Sequence, residues 1–120
     1  MPDLLFIYGT LHPERAPREI ADAAARLVPI GPATVRGHLF QLGEYPGVLL
    51  DPVAAPISGE LFTVPDAATL HRLDWHEDFR PGDLAGSLFL RVETTATQPD
   101  GSQRSCWIYV YNGEPPSAVR

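Results

Sequence analysis

Leu4-Leu5-Phe6-Ile7-Tyr8-Gly9-Thr10-Leu11, almost at the start of the chain, is the stretch around which the remaining segments fall into place. Leu4 to Tyr8 form an unbroken run of strand-favouring residues, as expected of a strand buried on both faces. Gly9 ends the run, and Thr10-Leu11-His12-Pro13 turns the chain towards a helix. A buried strand that stops at a glycine leaves backbone N–H groups unpaired, and the missing Cβ lets a ligand come close to them. Such an end can hold a carboxylate or a phosphate; the alternative is a strand followed by nothing more than a turn.

The downstream segments decide between the two. Arg18 to Val28, with Ala21, Ala23, Ala24, Ala25 and Leu27, reads as a helix that Pro17 opens and Pro29 stops. Ile30 to Leu42 reads as one or two strands opened by Gly31-Pro32, Gly43 to Gly47 as a turn or loop, and Val48 to Leu50 as a short strand. Ile57 to Val64 is a further strand, in which Gly59 marks a bulge or a close backbone approach. Asp66 suits the N-cap of a second helix carrying Ala67, Leu70 and Leu73 on one face. Ser87–Thr97 and Gln103–Asn112 read as two strands joined by the hairpin signal Gln98-Pro99-Asp100-Gly101-Ser102. The last of these is apolar on both faces, with Cys106, Ile108 and Val110 opposed to Trp107, Tyr109 and Tyr111. That pattern fits a strand between a closed interior and a covering helix. The expected architecture is α+β: a small mixed β-barrel of about six strands with two flanking helices. One domain over residues 1–112 is expected, with 113–120 a Pro-rich tail.

Composition removes several chemistries. The 120 residues carry a net charge of -6 without a basic cluster, which weighs against nucleic-acid binding. All nine basic residues are Arg, so Schiff-base, P-loop and Ser-Lys mechanisms lack their lysine. Cys106 is the single cysteine, mid-strand in apolar surroundings, and reads as an inert core thiol. Four scattered histidines, with His71 and His76 badly spaced for a shared helical face, argue against a metal site. With neither a membrane-length apolar run nor a leader, a soluble, cytoplasmic protein without membrane partners is expected.

The second helix offers the chemistry. Its apolar face, continued one turn past Leu73, arrives at Glu77, so a carboxylate occupies a position where the periodicity asks for an apolar side chain. Pointed inward it would lose solvation, and its pKa would rise into the range useful for proton transfer. The competing reading ends the helix by Trp75 and leaves Glu77 solvated. Asp74 and Asp78 fall on the adjoining face and are expected to be solvent-facing or cap-forming. Glu60 is either solvated or a second acid at the same mouth, and His38 a half-buried polar residue.

FIYGTL, LGEYPGVL, ISGELFTV, LDWHED, FLRVE and CWIYVY, in this order from Leu4 to about Tyr111, together resemble the gamma-glutamylcyclotransferase-like family. The resemblance implies a pocket at the mouth of a mixed barrel. Backbone N–H groups of Tyr8-Gly9-Thr10-Leu11 would bind a substrate carboxylate there, and Glu77 would be the catalytic acid/base. It also implies a cofactor-free intramolecular aminoacyl transfer on a small γ-glutamyl compound, giving 5-oxoproline and a free amine. The chain departs from the family's usual pattern in three places. Asp78 stands where a glycine usually follows the glutamate, Phe89 replaces a tyrosine, and His12-Pro13-Glu14-Arg15 replaces a loop with Gly and Asn. The Asp78 and Phe89 departures keep open a second reading, a non-catalytic module that binds a small carboxylate or metabolite.

Overall fold

The computed structural model describes residues 3–8, 16–42 and 45–113. Six strands and two helices are found among them: β1 (Leu4–Ile7), α1 (Ala21–Ala24), β2 (Val28–Leu42), β3 (Tyr45–Leu50), β4 (Pro56–Thr63), α2 (Ala67–His76), β5 (Phe89–Thr97) and β6 (Gln103–Tyr111). The sheet runs β3-β2-β4-β1-β6-β5, and β5 returns to β2 through Thr97 and Thr34. Five strands therefore close a barrel, and β3 lies outside it on the far half of β2. β1 pairs antiparallel with β4 but parallel with β6, which makes the barrel mixed.

Burial explains the unbroken apolar run of β1. Leu4 and Phe6 join Val35, Leu61, Cys106 and Ile108 in one core cluster. Leu5 and Ile7 join Ile20, Ala23, Phe62, Leu73 and Tyr109 in the other. Members of the second cluster come from α1 and α2, so β1 has the barrel interior on one side and the helices on the other. β6 divides in the same way: Cys106 and Ile108 are fully buried in the first cluster and Tyr109 is buried in the second. Cys106 is a core thiol whose desolvation pushes its pKa up to about 11, leaving it a poor nucleophile.

Several boundaries differ from expectation, each for a physical reason. The first helix is only a 3-10 turn, Arg18–Ile20, followed by Ala21–Ala24. Val28 and Pro29, expected to end the helix and stop it, instead pair with Thr63 and Phe62 of β4. Tertiary pairing of a β-branched residue outweighs weak local helix propensity there. β2 is one continuous strand, and its bulge falls between Pro29 and Gly31, with Gly31 at φ 143°. Tyr45-Pro46-Gly47, expected as turn or loop, begins β3 by pairing with Leu42, Gln41 and Phe40. Pro46 is tolerated because β3 is an edge strand. Gly43, Glu44 and residues 114–120 of the expected tail lie outside the described residues.

Gly59 marks a close approach, not a bulge. A Cβ there would collide with the Phe6 ring and come within 2.7 Å of the Ile7 carbonyl oxygen. Gly59→Ala is thus expected to lower stability by about 1–3 kcal/mol, the range for overpacking a filled interior. Urea denaturation at constant m-value would measure it.

Candidate active site

Asp66 starts α2 by accepting the Thr69 N–H at 2.8 Å, an N-cap that offsets one of the four unpaired amides of the first turn. The helix ends at His76, and Glu77 is its C-cap, with the Glu77 N–H still bonded to the Leu73 carbonyl at 3.0 Å. Asp78 then takes a left-handed backbone at φ 56°. Its N–H reaches Trp75 O at 3.2 Å, and the Phe79 N–H reaches Asp74 O at 2.9 Å, the paired bonds of a Schellman closure. Glycine is favoured at this position because it has no Cβ. Asp78 therefore fills a backbone role, and its side chain turns outward to Arg80 at 2.9 Å. It adds nothing to the charge around Glu77.

The closure leaves the Glu77 carboxyl largely out of solvent. Burial alone raises its pKa from 4.5 to about 7, where a carboxyl both takes and gives protons near neutrality. Tyr8, at the end of β1, is close enough to feel it. The acidity of the Tyr8 hydroxyl is suppressed first by burial and then by the Glu77 carboxylate, with the Val48 N–H partly opposing. Tyr8 and Glu77 thus share one desolvated neighbourhood. Gly9, Thr10 and Leu11, expected to complete the anion-binding loop, lie outside the described residues, as do His12 to Arg15.

Asp74 is not solvent-facing. It is 5 % exposed and receives two bonds from Arg91, Nε to Oδ1 at 2.7 Å and Nη2 to Oδ2 at 3.2 Å. The Tyr109 hydroxyl donates to the same Oδ1 at 2.6 Å. The Arg91 guanidinium lies 4.3 Å from the Trp107 ring centroid and 5.5 Å from that of Phe79, completing its enclosure by cation–π contact. Tyr109 in turn accepts the Tyr8 hydroxyl on its backbone carbonyl at 2.6 Å. Its own hydroxyl is made a much weaker acid by burial, then by Asp74 and Glu77, with Arg91 opposing. The apolar periodicity that selects Glu77 runs through Leu70 and Leu73 and leaves Asp74 on the adjoining face, so its burial is not read from that pattern. The distant partners Arg91 and Tyr109 have no such signal either.

His38 is exposed and bonded to Asp51 at 2.9 Å, so it is a surface residue and not a half-buried one. Glu60 is half-buried on β4, opposite Ile7. Phe89 is buried beneath the helices, edge-on to Tyr111 at 6.0 Å between centroids. A separate open crevice, bordered by Thr34, Arg36, Asp51, Thr94 and Gln103, includes neither Tyr8 nor Glu77.

Asp78→Gly should raise stability by about 0.5–1 kcal/mol, because the backbone strain relieved exceeds the small worth of an exposed ion pair. A fall in the denaturation midpoint would show that the bond to Arg80 outweighs the backbone effect.

No curated protein matches the chain. Among solved structures, Bacillus subtilis YkqA is 26% identical with a TM-score of 0.68, over 96% of this chain but only 38% of that protein's length. A mouse aig2-like protein is 21% identical with a TM-score of 0.73, over 95% of this chain and 80% of that one. A structure described as a gamma-glutamyl cyclotransferase is 15% identical with a TM-score of 0.66, over 92% of this chain and 66% of that one. The latter two likenesses concern the fold. The sequence model described as gamma-glutamyl cyclotransferase, AIG2-like matches residues 5–120, nearly the entire length. With the mixed barrel and the ordered motifs along it, this match places the chain in the gamma-glutamyl cyclotransferase, AIG2-like family.

Proposed function

We propose that the chain is a cofactor-free cyclotransferase that converts a γ-glutamyl amine or γ-glutamyl amino acid into 5-oxoproline and the free amine. The observation that carries this reading is the desolvated Glu77 carboxyl, raised to about 7, beside Tyr8 at the end of β1. In the proposed reaction the substrate's α-amino nitrogen attacks its own γ-carbonyl carbon. Glu77 takes the proton that the ammonium must lose, the ring C–N bond forms, and the γ-amide C–N bond breaks. Glu77 returns that proton to the departing nitrogen and relays the ring nitrogen's second surplus proton the same way, so the lactam keeps one N–H, the amine leaves as an ammonium, and the carboxyl ends as it began. Tyr8, together with the backbone of Gly9, Thr10 and Leu11, is assigned to the substrate's α-carboxylate.

The chemistry asks little of the protein. Nucleophile and electrophile are tethered within one molecule, and well-oriented intramolecular attack reaches effective molarities of about 10⁵–10⁸ M. Acid–base help from a matched carboxyl contributes roughly 10²–10⁴-fold more. A pKa near 7 lets Glu77 serve in both directions.

Two measurements test the assignment. Incubated with a panel of γ-glutamyl amines and amino acids, the protein should release 5-oxoproline, detected by mass spectrometry. Glu77→Gln should lower kcat/KM at least about 100-fold while leaving the fold intact. Normal turnover by that variant removes Glu77 from the role. Thermal stabilisation by 5-oxoproline without turnover of any γ-glutamyl compound would instead support a binding module.

The second measurement concerns pH. For wild type, kcat/KM should rise through about pH 7 as the Glu77 carboxyl becomes a base. Stability should move oppositely. The folded chain holds this proton up to about pH 7, whereas the unfolded chain releases it near 4.5. The stabilisation is complete below the lower value and is lost as pH climbs through the upper one. Glu77→Gln is therefore expected to melt above wild type at pH 8, with the gap closing by pH 5. An equal gap at both would contradict the desolvated carboxyl.

A further inference from the structure

We propose that Tyr109 is a positioning residue that fixes the Glu77 carboxyl relative to the end of β1, through its hydroxyl bond to Asp74 and its carbonyl bond from Tyr8. The inference rests on the cyclotransferase reading for its consequence in turnover, but its physical content is independent of it. Asp74 lies one turn before Glu77 on α2, and its carbonyl accepts the Phe79 N–H that closes the helix. Whatever holds Asp74 holds the turn that presents Glu77. Arg91 holds it from β5, and the Tyr109 hydroxyl holds it from β6 at 2.6 Å. The same Tyr109 receives the Tyr8 hydroxyl at 2.6 Å on its backbone carbonyl. A single residue thereby spans the two halves of the site, with the β1 end on one side and the end of α2 on the other. Tyr109 is 3 % exposed, and four neighbours, Tyr8, Asp74, Glu77 and Arg91, are the titratable or charged groups with which it bonds or interacts among the described residues. Its hydroxyl is held un-ionised by burial and by the two acids, so it acts as a fixed donor and not as a proton carrier.

Tyr109→Phe removes the donor and leaves the Asp74–Arg91 pair in place, so the fold is expected to survive. Tyr8→Phe cuts the other bond without touching Asp74 and serves if the first variant does not fold. In each, ¹³C NMR of the Glu77 side-chain carboxyl should show its titration midpoint falling by about one unit as the loosened turn admits water. With an active substrate, Tyr109→Phe should lower kcat about ten- to a hundredfold, leave KM within about twofold, and move the pH profile with the NMR midpoint. An unchanged midpoint in the variants that fold overturns the proposal, whatever happens to turnover. A shifted midpoint in a protein whose wild type turns nothing over keeps the tether and overturns the cyclotransferase reading instead.

Discussion

The docking of α2 on the barrel depends on a charge pair that has almost no access to water. Asp74 and Arg91 bring opposite charges together with side chains 7 % and 12 % exposed. Removing either partner alone leaves an uncompensated buried charge, which typically costs about 3–5 kcal/mol. The pair is acceptable because its geometry is nearly complete. The carboxylate accepts three bonds, and the guanidinium is covered by Trp107 and Phe79. Such a pair contributes little net stability against an apolar substitute, but it is far more directional than Leu73 packing against the barrel. An apolar contact tolerates a helix that slides or rotates; a bidentate bond with a third donor on one oxygen does not.

That directional constraint governs the end of the helix. Three residues after Asp74 the chain closes over Glu77, and the closure needs a left-handed residue at the next position. Asp78 supplies it with some strain, where glycine would have none. The buried pair, the closure and the desolvation of Glu77 are thus successive consequences of one arrangement. A carboxyl raised to about 7 opposes folding at neutral pH, and the tethering around it is what keeps it there.

Much of the barrel is legible in the residues because burial on both faces leaves a signature that does not depend on partners. Leu4 to Ile7 and Cys106 to Tyr111 show it, and both strands lie between the interior and the helices. The hairpin at Gln98 to Ser102 is legible because turn chemistry is local. The first helix departs from expectation because Val28 and Pro29 are claimed by β4, a partner far along the chain. Glu77 stands out by periodicity. Asp74, on the adjoining face, gives no local sign of burial because its cation lies 17 positions further on, in another strand. Neither charge spacing nor propensity carries that information. Asp78 is the converse case: its charge draws the eye, but its backbone φ explains its position.

In the proposed function, the end of β1 and the end of α2 are the two sides of one site for a γ-glutamyl group. A crystal structure of the protein with 5-oxoproline bound would decide whether they are. The carboxylate of the ligand is expected on the backbone N–H groups after Tyr8, with its ring nitrogen or carbonyl within hydrogen-bond reach of Glu77. Occupancy of the Thr34–Gln103 crevice alone, or a bound ligand with the Glu77 carboxyl turned away from it, would contradict a shared site.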